Sequence, residues 1–286
     1  MGKSSRTASK RSPLLRMNPQ STARYIPDVC TALPFLSGEH KGKKILRAMV
    51  HQLTGLYPSA AILADADASW NGEENRFQKI LRLCEVTIDS QGTLPTEGPA
   101  LVVANHPTGP MDGIVLAAWL TQQRHDVRIL TTESLAEIPT LRDIVIPLKL
   151  YEGKNIESSN AQSLRKAMIH LRRGGVLAAF PAGTIAVPDD PHAPSIEQPW
   201  KEAVFALAIR CHTPVVCLHI TQQHRPLVAR LLRTNAWVRT LAMGWLFLLM
   251  RKKIFGLAVK QTIVVDGMFE AVDLCHSARR ALDELG

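Results

Sequence analysis

The chain has 286 residues, of which 46% are hydrophobic and 21% charged. This balance excludes a disordered polyelectrolyte and suffices for one large domain or a core with a smaller appendage. A formal charge of +9 points to an anionic partner, whether nucleic acid, phospholipid surface or acidic substrate, while an aromatic content of 5% argues against a base-stacking surface.

Five cysteines without a Cys-x2-Cys pair leave reduced cytosolic thiols as the simplest reading and argue against a cysteine-built zinc site. Residues 1–24 carry six basic residues and no acid, which predicts a disordered tail attracted to anionic lipid. No apolar run follows this basic opening, so a signal peptide is not expected. Arg6 stands where N-myristoylation requires Ser or Thr. From 25 to 85 the spacing predicts an N-terminal helical subdomain. Ile45, Met49, Val50 and Leu53 share one face, Gly55 and Pro58 break that helix, and Phe77, Ile80, Leu81 and Cys84 recur at i, i+3, i+4 and i+7.

The pattern changes at residue 86. Short β-branched runs near 100–104, 127–130, 144–148, 176–180, 214–220 and 257–265 alternate with helical stretches near 114–121, 163–172, 200–210, 227–251 and 269–285. This alternation over 86–286 predicts an α/β domain, a mostly parallel sheet flanked by helices. No run reaches the roughly 18 apolar residues of a spanning helix; the most apolar stretch, 241–250, is bounded by Arg239 and Arg251.

Chemistry is expected where the run ALVVA enters Asn105-His106-Pro107-Thr108-Gly109-Pro110-Met111-Asp112-Gly113, because ligands of open α/β sheets sit at the carboxyl ends of strands. Gly109-Pro110 turns the chain tightly, so His106 and Asp112 can meet although six positions apart. An aspartate at a helix start is favoured by the helix dipole. Bonded to one imidazole nitrogen, it would leave the other free to take a proton from a substrate hydroxyl. Taken alone, a histidine near a turn is ordinarily structural, and an aspartate ahead of an apolar helix is an N-cap. The balance shifts with a second small-residue loop, Pro181-Ala182-Gly183-Thr184-Ile185, after the run VLAAF, able to bring backbone N–H groups close to a ligand.

The two loops together resemble the paired signature of the glycerolipid acyltransferases, the PlsC-like superfamily. Asn105-His106 to Asp112, then Phe180-Pro181-x-Gly183-Thr184, stand in the family's order, each after a strand, and Pro214-Val215-Val216 is similar to a later motif. The resemblance, from about 85 to 265, implies His106 as the base and Asp112 as its partner. It implies substrate contacts from Asn105, Pro107, Gly109, Gly113, Phe180, Pro181, Gly183 and Thr184. Acyl-CoA or acyl-carrier protein would be the donor, a lyso-lipid the acceptor, and no cofactor or metal would be needed. Five residues rather than four separate His106 from Asp112, a spacing similar to the hemolysin-like, lyso-ornithine-lipid branch. Ala182 and Ile185 replace the Glu and Arg of the family pattern, and Lys149 is the nearest substitute for the arginine of another motif. Loss of the guanidinium replaced by Ile185, a contact of about 1.5–3 kcal/mol, argues for an aminolipid over a phosphate-bearing acceptor.

Between Glu202 and Asp266 lie nine basic residues and no acid. Arg230, Arg233, Trp237, Trp245 and Phe247 are the expected contacts of a basic amphipathic helix with an anionic membrane. The expected place is the cytoplasmic face of the inner membrane, peripheral or monotopic, without nucleic acid. His212, His219 and His224 match no usual metal spacing. The Pro-rich stretch 187–199 reads as a solvated turn or a cover over the site. Two rivals remain: an N-acyltransferase with an amine acceptor, and a non-catalytic, hemolysin-like membrane binder.

Overall fold

The computed structural model describes residues 22–26, 30, 33–70, 75–149, 156–188, 195–222, 228, 236–266 and 268–283. Most of the expected tail, residues 1–21, lies outside them, and its end is ordered as a short 3-10 turn, Ala23–Tyr25.

Three helices come first: α1 (Lys41–Leu53), α2 (Leu56–Ala68) and α3 (Arg76–Cys84). Gly55, at φ +73°, makes the break between α1 and α2, a left-handed conformation that glycine adopts without strain. Pro58 breaks nothing. It sits in the first turn of α2, where its missing N–H would have no helical partner anyway. Then follow β1 (Thr87–Gln91), β2 (Ala100–Ala104), α4 (Pro110–Gln123), β3 (Val127–Thr132), α5 (Glu133–Ala136) and β4 (Val145–Leu148). After these come α6 (Ile156–Arg172), β5 (Val176–Ala179), the two-residue strands β6 (Val187–Pro188) and β7 (Ser195–Ile196), and α7 (Ala203–Arg210). The chain closes with β8 (Val215–Ile220), α8 (Ala236–Leu249), β9 (Ile254–Ile263) and α9 (Ala271–Asp283).

Seven strands form one sheet in the order β1-β9-β8-β2-β5-β3-β4. The five from β8 to β4 are mutually parallel. Strand β9 runs antiparallel to β8 and parallel to β1. The expected mostly parallel sheet between helices is therefore the fold. Side-chain alternation along the strands divides the core in two. Val102, Ala104, Ala178, Val216 and Leu218 face α2, α3 and α4, whereas Leu101, Val103, Leu177, Val215 and Cys217 face α6, α7 and α9. Helices α2 and α3 thus share one hydrophobic cluster with the sheet. Helix α1 buries no residue.

Helix α8 crosses the first face and touches the α1–α2 corner backbone to backbone. A Cβ at Gly244 would lie 2.3 Å from the Gly55 carbonyl carbon and the Leu56 nitrogen. Trp245 completes the joint, its backbone N–H donating to Thr54 O at 3.1 Å and its Nε1 to Leu53 O at 2.5 Å. At the other side of the same helix, Leu246 packs with Ile185 and Val187.

Candidate active site

The centre of the sheet explains why two loops far apart in sequence meet. Strands β2 and β5 are neighbours in parallel register, Val103 opposite Ala179, so the segments leaving them emerge side by side at one edge. One step past β2, the Asn105 amide continues the pairing that the backbone gives up: Nδ2 donates to Ile220 O at 2.8 Å and Oδ1 accepts from Ile220 N at 2.6 Å. Both ends of the amide are therefore committed to β8. The residue is a clamp that fixes where β2 ends.

His106 follows, its side chain 17% exposed. Its Nδ1 lies 2.8 Å from Oδ2 of Asp112, which is fully buried in the third position of α4. Asp112 also accepts from Thr108 N at 2.7 Å and Gly109 N at 2.8 Å, both at Oδ2, and from the Thr108 hydroxyl at Oδ1. Four donors converge on one carboxylate. An ionised carboxylate is an acceptor only, so in that pairing Nδ1 donates and Nε2 is the ring nitrogen left to other partners. Among the described residues Nε2 has no hydrogen-bond partner. Gly109 makes the turn possible, at φ +105° and ψ −133°, a combination close to glycine-only backbone.

From the β5 side, Phe180 stacks on the His106 ring with centroids 4.2 Å apart and planes 15° from parallel. Ala186 N donates to His106 O at 2.8 Å, and Gly183 closes its loop at φ +68° by donating to Phe180 O at 3.0 Å. Pro107 and Pro181 are buried and Thr184 is half-buried. Gly113 faces open space: a Cβ there would meet nothing within 4 Å. Ala182 and Ile185 are buried apolar residues, so no charge enters the wall of the site from those positions.

A residue not singled out in the sequence completes the surroundings. Glu197, its side chain 7% exposed, accepts from His106 N at Oε1, 2.5 Å. At Oε2 it accepts from Trp200 Nε1 at 2.9 Å and from an Arg279 N–H at 2.7 Å. Burial pushes its carboxyl above the ordinary value, and the Trp200 and His106 hydrogen bonds and the Arg279 and His106 charges act the other way. The only signal for it in the sequence was an acid between Ile196 and Trp200 in a stretch otherwise read as a turn or cover. In fact the end of that stretch runs into the site; Asp189 and Asp190 lie outside the described residues.

The expected membrane contacts are dispersed. Arg230 and Arg233 lie outside the described residues, and of Trp237 only the backbone is described, in α8. Trp245 is 50% exposed, but Phe247 is 4% exposed and belongs to the core. Two helical positions turn the side chain through about 200°, so neighbours this close face opposite ways. Lys149 is exposed beyond β4, 4.0 Å from Glu133. Among the described residues no group of three or more His, Cys, Asp or Glu could hold a metal.

Residues 85–221, which hold this edge loop, match the family model described as Acyltransferase. The span takes in His106, Asp112, the Phe180–Thr184 loop and Glu197. The matched segment marks the chain as an acyltransferase enzyme. No curated protein matches the chain. Among solved structures it is similar to the 1-acyl-sn-glycerophosphate (LPA) acyltransferase PlsC from Thermotoga maritima, with a TM-score of 0.47 and 16% sequence identity over 84% of this chain and 95% of that chain.

Proposed function

We propose that the enzyme transfers a fatty acyl group from an acyl-CoA or acyl-carrier-protein thioester to the hydroxyl of a lyso-lipid, with His106 as catalytic base and Asp112 as its anchor. His106 Nε2 takes the proton of the acceptor hydroxyl as its oxygen attacks the thioester carbonyl. The thiolate leaves and recovers that proton from the imidazolium, whose charge the Asp112 carboxylate offsets. Backbone N–H groups of the surrounding loops steady the tetrahedral oxyanion. The observation that carries the reading is the 2.8 Å contact of Nδ1 with a carboxylate held by three further donors.

Buried Ala182 and Ile185 favour an acceptor without a phosphate monoester, such as a lyso-aminolipid. An anion would meet apolar packing from Ile185, Val187 and Leu246 on that side. We place the enzyme at the cytoplasmic face of the inner membrane, and the described surface favours α1 over the basic segment as the point of contact. Ile45, Met49, Leu53 (69% exposed) and Phe35 are large exposed apolar residues on or beside a helix that also carries Lys41, Lys43, Lys44 and Arg47. Trp245 adjoins them through its bond to Leu53. This is the composition of a helix lying at a lipid surface. Among the described residues no helix is long and apolar enough to cross a membrane.

His106→Ala should lower transfer by at least ~10³-fold with vesicle binding intact; undiminished transfer would refute the base assignment. The product should lose its new acyl chain in mild alkali. A resistant product would mean an amide and replace the hydroxyl acceptor by an amine.

A further inference from the structure

His106 is held at more points than its side chain alone would need. Its carbonyl accepts from Ala186 N and its N–H donates to Glu197, so the peptide groups on both sides of the residue are fixed and with them the direction of its Cβ. The residue supplying the N–H anchor is a carboxylate from 91 positions away, drawn from the segment after β7 and tied to α9 through Arg279.

We propose that Glu197 is a positioning residue for His106: its carboxylate, braced by Arg279 and Trp200, holds the backbone of the base so that the imidazole stays between Asp112 and Phe180. This rests on the assignment of His106 as base.

Two considerations support it. A backbone N–H just past a strand end could be satisfied by water or by the next carbonyl at little cost, whereas a carboxylate brought into a site with 7% exposure loses most of its hydration. Burial is the largest influence on this group and disfavours its charged form. A side chain that costs the fold something and makes its shortest contact with the base is accounted for by what it does there. Second, the geometry of a base is exacting: a displacement of about 1 Å can cost on the order of 10²-fold in rate. Of the four attachments of His106, only this one runs to the C-terminal helix.

The test is Glu197→Gln in the full chain, with steady-state kinetics per folded molecule and thermal melting read together. Positioning predicts a kcat lowered about 10- to 100-fold, a KM for either substrate within about twofold, and a melting temperature at neutral pH equal to or above that of the parent. A kcat within twofold, or a loss that appears in the melting temperature alone, would overturn the proposal. Should Glu197→Gln fail to fold, Trp200→Phe keeps the carboxylate and deletes one of its braces. It must lower kcat a few-fold at constant KM, and an unchanged kcat overturns the role. His106→Ala separates the two assignments. If that variant stays active the base reading falls, whereas an inactive His106→Ala beside a fully active Glu197→Gln removes only the positioning role.

Discussion

Two carboxylates flank His106, and they are built in opposite ways. Asp112 is local: six residues from His106, at the start of the helix that follows it, saturated by donors from its own turn. Glu197 is distant, held from outside by Trp200 and Arg279, and meets His106 at its backbone. A short turn can present a carboxylate to the histidine ring, but it cannot also reach round to the amide behind it. The side-chain half of the site is therefore a motif, and the backbone half is a product of the fold.

The sharpest way to separate the halves is Asp112→Asn. The amide can accept through only one of its atoms, so the ring loses the partner that sets its tautomer, and kcat should fall on the order of 10³–10⁴-fold. Steady-state rates check this, and a loss below tenfold would leave Asp112 as a helix cap and no more. Gly109→Ala attacks the turn itself. A side chain at φ +105°, with its Cβ 3.4 Å from Ile185, should destabilise the fold by about 1–3 kcal/mol, measured by denaturant unfolding. An unshifted midpoint would show that the turn tolerates any residue. Thr108→Val removes one donor to Asp112 and leaves an acceptor oxygen unfilled; a cost of about 1–3 kcal/mol in stability should come with a smaller kcat loss than Asp112→Asn.

The smallest effect concerns pH. Because burial raises the Glu197 carboxyl above its ordinary 4.5, the folded state holds that proton more tightly than the unfolded chain does. Its contribution to stability is then fully present below the unfolded value and is lost as pH rises through the folded one. The stability of the parent relative to Glu197→Gln should therefore decline as pH rises above the ordinary 4.5, followed by denaturant melts across a pH series. A relative stability that grows with pH would mean that Arg279 and the two N–H donors outweigh burial.

The same contrast governs how much could be read in advance. The strands at 100–104, 127–130, 144–148, 176–180 and 214–220 were legible because they are short apolar runs between helical periods, and five parallel strands lie there. Strand β1 was not. Nearly all of it is exposed, so nothing alternates. Asn105 was legible as a special position but not as a clamp, since its partner Ile220 is 115 residues on. Glu197 was overlooked because its meaning lies in His106 and Arg279, both remote in sequence. Phe247 misled because aromatics in a basic segment suggest a lipid surface, while the helix turns Trp245 out and Phe247 in. Composition does not record which way a helix is rotated.

The bare contact of Gly244 with the Gly55 corner has a mechanical meaning. Helix α8 rests there like a beam seated in a notch, its other flank forming, through Leu246, part of the roof above Gly109. A single methyl group at position 244 would wedge that seat open, and the displaced beam would lift the roof from the turn that carries the histidine. A substitution with no atom near the chemistry would thus reach it through the framework.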